Sequence, residues 1–351
     1  MIYFYMISIV ILLFISTTCL IRNKTKAEIL FMLSSFLIVY LVCILRAPSV
    51  GRDILGYKHI YELTEKIRFS NFDYVYFENG YILMMKISII FGLSFQKFLI
   101  ICYLIMLLPI WVFIYRYSNN KLLSIILFIC YMFFEIYLTA LRQSISMSIF
   151  LIALMILLSK RRGSVLIYYL LILLASFVHR GVLVCIFIPI LFLVHNKNKF
   201  VITLLPLYSL LVMFRGQLMT MLLNFFGREM MDSFSMYFGF NSFVLLMIFL
   251  VLIVYEQMFK INYKFSENIF ILMLIMGLLI GVYFGTNSTA RSYMYYVFPL
   301  LILIPKILSI FDEKSKIIVN IIVISLLILY FMDSIINDNN YDILPYKFYW
   351  E

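Results

Sequence analysis

KLLSIILFICYMFFEIYLTALRQSISMSIFLIALMILLSKRRG, residues 121–163, holds only Glu135 and Arg142 as charges between Lys121 and Lys160. An α-helix needs about 20 apolar residues to cross a hydrocarbon core of roughly 30 Å at 1.5 Å per residue. The stretch therefore reads as two spans, 122–140 and 143–159, meeting at Arg142. Backbone groups in lipid must pair within their own segment, so both spans are helices. A charge within or beside a span costs about 2.5–3.5 kcal/mol on insertion scales and needs a reason. Glu135 precedes Arg142 by seven residues, on the same face of a continuous helix, so the two can pair. Alternatively Arg142 snorkels to the headgroups, or it opens a helix into a polar site together with Gln143.

The whole chain follows the same pattern. Of 351 residues 65% are hydrophobic and 13% charged, against about 45–50% and 25% in soluble domains. A cytosolic enzyme, a nucleic-acid reader and a disordered tail are excluded, and no nucleic-acid partner is expected despite the net charge of +11. Apolar runs of span length fall at 2–21, 27–45, 98–115, 122–140, 143–159, 164–178, 181–195, 199–214, 243–259, 268–284, 293–310 and 316–333. A further run, 80–93, is short and contains Lys86. If it dips in or lies at the interface, fifteen of the 28 Lys and Arg but only five of the 17 acids fall on one face. Basic loops mark the cytoplasmic side. The reading is an all-α polytopic integral membrane protein with about twelve transmembrane helices, a short re-entrant or interfacial helix, and both termini outside. The first twenty residues read as a retained span, since their basic residues follow rather than precede the apolar run.

Residues 1–351 form a single membrane domain in this reading. Segment 46–80 is a first large periplasmic loop with an amphipathic helix, on which Ile54, Tyr57, Ile60, Tyr61 and Thr64 share a face. Segment 215–242 is a second large periplasmic loop. The cytoplasmic connections are too short to bind a nucleotide, so any chemistry belongs to the outer face. Asn337–Asn340 reads as a polar end.

No phosphate-binding glycine loop, dinucleotide fingerprint, HExxH or DxD is present. With three histidines, and five cysteines lying in apolar runs without CxxC spacing, neither a metal site nor a disulfide framework is expected. No cofactor is expected.

Polar residues gather instead at the outer helix ends. Arg52 and Asp53 precede the amphipathic helix, where Asp53 suits an N-cap. Glu78 precedes the 80–93 run and suits a cap there. Arg142 and Gln143 open the fifth span. His179 and Arg180 separate two apolar runs, and His titrates near neutral pH without help. Arg291 follows a run of Thr, Asn and Ser and is followed by Tyr293, Tyr295 and Tyr296. Each position also has a bland use: an amphipathic surface helix, a turn, an interfacial histidine or an aromatic belt. Together they put Arg52, Arg142, Arg180 and Arg291 on one face. Arg binds phosphate bidentately, so the set suggests a lipid-linked phosphate or pyrophosphate.

In this order GRDILGYKHIYE (51–62), FENGYILMMKI (77–87), LRQSISMSIFLIAL (141–154), ASFVHRGVLV (175–184) and ARSYMYY (290–296) resemble the EpsG-like family of bacterial polysaccharide polymerases, which includes O-antigen polymerases of the Wzy type. The Phe177-Val178-His179 spacing departs from the family's more usual Phe-His pair. The resemblance implies a GT-C-like fold in the bacterial inner membrane, with its active site facing the periplasm. It implies a metal-independent glycosyltransferase that moves a growing glycan from undecaprenyl pyrophosphate to the sugar of a new undecaprenyl-pyrophosphate-linked repeat unit. Those lipid-linked oligosaccharides, membrane lipid and a chain-length regulator protein are the implied partners.

Under that resemblance, Arg142 and Arg291, assisted by Arg180 or Arg52, are expected to hold the pyrophosphate. His179 is the first choice for the base that takes the acceptor's proton, then Asp53, then Glu78; Arg142 counts as catalytic too. Tyr57, Tyr81, Gln143 and Tyr293 are expected to touch the glycan. Rival readings are a flippase or transporter of lipid-linked oligosaccharide, an O-antigen ligase and a scaffold. A flippase would need charges near mid-membrane, whereas the apolar runs are almost free of charge through their middles.

Overall fold

A computed structural model of the chain describes residues 1–66, 77–194, 213–214, 217, 263–283, 293–339 and 341–351. The regular elements among them are helices, and the protein is an all-helical membrane protein. Five helices are long and apolar enough to cross a bilayer: α1 (Ile2–Leu20), α2 (Lys24–Ile44), α5 (Phe95–Tyr117), α8 (Leu141–Leu158) and the stretch Glu313–Asp338. The intervening short helices are α3 (Ile54–Lys66), α4 (Asn79–Ile90), α6 (Lys121–Cys130) and α7 (Phe133–Thr139). A sixth span results if the bent pair α6–α7 counts as one. Helix α9 (Ser164–Val178) is shorter, and Arg180–Leu193 winds as a 3-10 helix. At about 2 Å per residue, fourteen residues of that winding still reach roughly 28 Å. The expected spans 199–214 and 243–259 and most of loop 215–242 lie outside the described residues.

The chain forms two compact units, Met1–Val182 with Ile304–Glu351, and Leu183–Leu303. In the first, α1 packs on α2, α2 on α5, α5 on α8 and α8 on α9. Helix α8 is the most enclosed of the five long helices, and its serines show why it tolerates that position. Ser144 Oγ donates to Ile136 O (3.2 Å), Ser146 Oγ to Ala175 O (3.2 Å) and Ser148 Oγ to Met106 O (2.6 Å). Small hydroxyl residues let helices approach closely and supply bonds that lipid cannot. The three ties run to α7, α9 and α5, so α8 is the axis of this unit.

Helix α12 (Glu313–Asp333) completes the unit and packs on α6. Its second turn meets the start of α6, where Asn120 Nδ2 donates to Asn320 Oδ1 at 3.3 Å. Lys121 reaches Glu28 of α2 at 3.6 Å. At the opposite end of these helices Tyr3 donates to Ile343 O (3.0 Å) and Tyr346 to Val42 O (2.9 Å). In the second unit α10 (Phe265–Tyr283) carries Phe265 against Phe192, with ring centroids 5.2 Å apart. Tyr296 donates to Val184 O at 2.6 Å. Helix α11 (Leu300–Leu308) begins in this unit and ends in the first.

Two expectations need correction. The run 122–140 is not one continuous helix. It bends by 54° at Tyr131–Met132, where Met132 takes a positive φ of 54°, and ends at Ala140 before α8 begins. Glu135 and Arg142 therefore sit on different helices and do not pair; Ser334 Oγ donates to Glu135 instead, at 3.3 Å. The residues that follow the polar stretch at Asn337 are also tied to the bundle, which composition did not announce. Gly51 N–H donates to Asp342 O (2.8 Å), Arg52 N–H to Tyr341 O (2.9 Å), Ala47 N–H to Lys347 O (2.8 Å) and Tyr349 N–H to Leu45 O (2.9 Å). This tail satisfies backbone groups of the turn after α2 that no helix could.

The amphipathic helix stands where the periodicity put it. Helix α3 buries Ile54, Tyr57, Tyr61 and Thr64, with Ile60 half-buried beside them. Helix α4, of twelve residues, spans only about 18 Å and is too short to cross. Its Lys86 is buried because Nζ donates to the carbonyl of Thr64 (2.8 Å), where the dipole of α3 favours a cation.

One buried cation fixes the loop before α3. Arg46 is fully enclosed and donates to Val50 O and to the Tyr103 hydroxyl of α5. Tyr103 in turn donates to Tyr137 O at 3.1 Å. Gly51 closes the turn at φ +102°, and a Cβ there would stand 2.8 Å from Leu138 O. A side chain meets both backbone strain and a backbone atom that cannot withdraw. Gly51→Ala is expected to lose roughly 1–3 kcal/mol of stability. Thermal unfolding of the purified protein in detergent reads this as a lowered midpoint; an unchanged midpoint contradicts it.

Candidate active site

Four helix ends meet at one place in the first unit. Tyr57 comes from the first turn of α3, Glu78 from the residue before α4, Arg142 from the first turn of α8, and His179 from the residue after α9. Glycine sets the last approach. A Cβ on Gly80 would stand 2.6 Å from Phe177 O and 2.8 Å from Phe177 C. Only a residue without a side chain lets the first turn of α4 lie on the end of α9. That contact brings Glu78 to His179.

Glu78 occupies the N-cap position of α4, yet its side chain caps no backbone group of that helix. It turns across the site. Oε2 accepts from Arg142 Nη1, and Oε1 accepts the backbone N–H of Arg180 at 3.2 Å. The same Oε1 stands 3.4 Å from His179 Nδ1, within ion-pair reach, although the geometry is not that of a hydrogen bond. The carboxylate is thus shared by a guanidinium, an imidazole and a peptide N–H. Burial pushes its pKa up, but the His179 imidazole and the Arg142 charge outweigh burial and hold it down at about 2. A carboxyl so placed stays ionised and is a poor proton acceptor.

Arg142 lies under a ring of aromatics. Its guanidinium carbon is 4.0 Å from the Phe77 ring centroid and 6.0 Å from that of Tyr57, a cation–π arrangement. Phe77, Tyr57 and Tyr81 pack mutually with centroids 5.3–5.9 Å apart. Arg142 Nε is buried without a hydrogen-bond partner. His179 keeps Nε2 outside any hydrogen bond among the described residues, and Gly181 makes room for it: a Cβ there would stand 2.9 Å from Nε2.

The other expected site residues are placed as follows. Asp53 immediately precedes α3, and its carbonyl accepts from Tyr57 N–H at 3.1 Å. Gln143 is buried beside Arg142 in the same turn. The side chain of Arg180 is exposed at the edge of the cluster. Arg52 points away, its Nε 3.5 Å from Asp342 of the tail, both side chains exposed. Tyr293 is buried in the second unit, and Arg291 lies outside the described residues. Sequence reasoning passed over Phe77, Gly80 and Gly181. All three lie within two residues of a charge in short polar breaks between apolar runs, a signal that was available.

Residues 28–348 match the EpsG family, and the chain belongs to that family. Comparison with curated proteins and with solved structures finds no match.

The depressed carboxyl makes stability depend on pH. Glu78 has an ordinary value of 4.5 in the unfolded chain and about 2 in the folded one. Its contribution is therefore complete above pH 4.5 and disappears as pH falls toward 2. With the side chain 14% exposed, roughly 3 kcal/mol is the upper scale of that contribution. Glu78→Gln is expected to flatten the fall in melting temperature between pH 5 and pH 2; a slope equal to that of the wild type contradicts the assignment.

Proposed function

We propose that this EpsG-family member is a polysaccharide polymerase. In this reading it transfers a growing glycan from undecaprenyl pyrophosphate to the sugar of a new lipid-linked repeat unit, on the periplasmic side of a bacterial inner membrane. The observation that carries the reading is the Glu78–Arg142–His179 cluster at one end of α8 and α9. The basic turn Lys160-Arg161-Arg162 lies at the other end of that hairpin. Since basic turns favour the cytoplasm, the cluster belongs to the outer face.

The reaction joins an acceptor hydroxyl oxygen to the donor's anomeric carbon. The carbon–oxygen bond to pyrophosphate breaks, and the leaving group departs with the bonding electrons. The hydroxyl proton goes to His179 Nε2. The Glu78 carboxylate, 3.4 Å from Nδ1, favours a proton there by its charge, which leaves the lone pair on Nε2. Glu78 is then a positioning residue rather than the base, its depressed pKa suiting that part. Arg142, oriented by Glu78 and the Phe77 ring, faces the developing charge with its remaining donors, and the exposed Arg180 assists. Losing one such donor typically costs about 10²–10³ in rate, and a missing base about 10²–10⁴.

A flippase reading would use this cluster less well, because its charges gather at one end of the helices rather than midway. An O-antigen ligase would use the same donor, so the product discriminates. A strain lacking the gene should accumulate single repeats, and wild type should restore a ladder on gels of the extracted glycolipid. Arg142→Lys should fail nearly as badly as Arg142→Ala, because an ammonium cannot fork. His179→Gln should abolish the ladder with normal protein abundance. Polymer left on its lipid carrier in the deletion strain would instead indicate a ligase. A normal ladder from His179→Gln would remove the base assignment.

A further inference from the structure

A second concave feature lies one helical turn along α3 from the cluster. Tyr57 touches the Arg142 site, and Tyr61, four residues on, lines a cleft of about 580 Å³. That volume is within the range of about 300–1,000 Å³ usual for ligand clefts. Its floor is Tyr61, whose hydroxyl is tied to Ser88 Oγ (2.8 Å) and Leu93 O (2.7 Å), together with Phe95. Its walls are Glu62 and Glu65 of α3, Gln96 at the start of α5, and Tyr349 of the tail.

Three properties define what fits. First, Glu62 and Glu65 outnumber Lys58, which already stands 4.0 Å from Glu62. The cleft is net acidic and repels phosphate and pyrophosphate. Second, its two carboxylates are exposed acceptors, while Gln96, which gives one amide N–H to Ile44 O, keeps a carbonyl oxygen and a second N–H beside the Ser94 hydroxyl. Acceptors and donors side by side suit a hydroxyl-rich ligand, because each hydroxyl both donates and accepts. Third, the rim is aromatic. Tyr349 is 50% exposed, and next to it Phe348 and Trp350 stack at 4.6 Å with Trp350 60% exposed. Flat, rigid rings offer contact area at little entropic cost, and the C–H faces of pyranose rings pack on them.

We propose that this cleft binds saccharide, and that it holds the sugars of the glycan chain beside the reacting end. The identification of that saccharide as the polymer rests on the polymerase reading; the cleft's preference for neutral, hydroxyl-rich ligands does not. The tail, pinned by Tyr349 N–H to Leu45 O, is then one wall of the binding site rather than an appendage.

The test measures binding without turnover. Full-length protein in nanodiscs is titrated with oligosaccharides of several repeats, freed of lipid and phosphate by mild acid from the producing cell's own surface polysaccharide. Wild type and His179→Gln should bind with equal affinity. Glu62→Gln combined with Glu65→Gln should weaken binding at least tenfold, and Tyr349→Ala should do so independently. All these side chains are exposed, and the Tyr349 backbone bond survives the substitution, so folding is retained and is checked by the melting midpoint. Inorganic pyrophosphate should not compete. Unchanged affinity in both variants, no binding by wild type, or competition by pyrophosphate overturns the cleft assignment. The polymerase reading is judged separately by the glycolipid ladder: oligosaccharide binding by a protein that makes no polymer keeps the cleft and defeats the polymerase.

Discussion

The first unit is organised around a half-buried carboxylate that must not be left alone. Removing an ionised group from water costs several kcal/mol unless opposite charge and hydrogen bonds replace the water. Glu78 solves this by drawing three groups from two separate pieces of chain: Arg142 from α8, and the Arg180 N–H and His179 from the end of α9. Arg142 has the converse difficulty at the end of an apolar helix, and Glu78 with the Phe77 ring answers it. Each charge explains the other's position. Around them, Gly80 permits the close approach of α4 to α9, and the serines of α8 hold that helix among α5, α7 and α9. The proposed site and the packing are therefore one arrangement, and a change to Glu78 acts on both.

Much of this was legible because membrane helices obey few rules. Apolar runs located α1, α2, α5 and α8 to within a few residues. The periodicity of 54–64 named the buried face of α3, and the shortness of 80–93 separated α4 from the spans. What could not be read was pairing across long distances. Arg142 had a plausible partner seven residues away, and nothing local announced that Met132 would break the helix and turn Glu135 toward Ser334 instead. Glu78 looked like a helix cap because its position is one; only the approach of α9, 100 residues later, gives its carboxylate better company. The tail's ties to the turn after α2 could not be read because several of them are made by backbone, to which side-chain composition is blind. Arg46, the most enclosed charge described, drew no attention in the sequence because it directly follows an apolar run and has no charged neighbour.

Two lessons for function follow from geometry rather than motif. An ionised carboxylate held near pKa 2 is suited to orienting a histidine, not to accepting a proton. In the proposed reading this makes Glu78 the positioning residue and His179 the base. The division of polar surface is equally informative. In the proposed reading the guanidinium site takes the anion, and the acidic, aromatic-rimmed cleft one turn away takes sugars. A substrate with a pyrophosphate at one end and sugars beyond it matches that sequence of surfaces.

The most direct measurement is a reconstituted reaction: purified protein in liposomes with a lipid-linked repeat unit as the sole substrate, no nucleotide added. The account predicts that glycosidic bonds form and that one undecaprenyl pyrophosphate is released per repeat joined. Movement of the intact lipid-linked unit across the bilayer with no bond formed and no carrier released would contradict it.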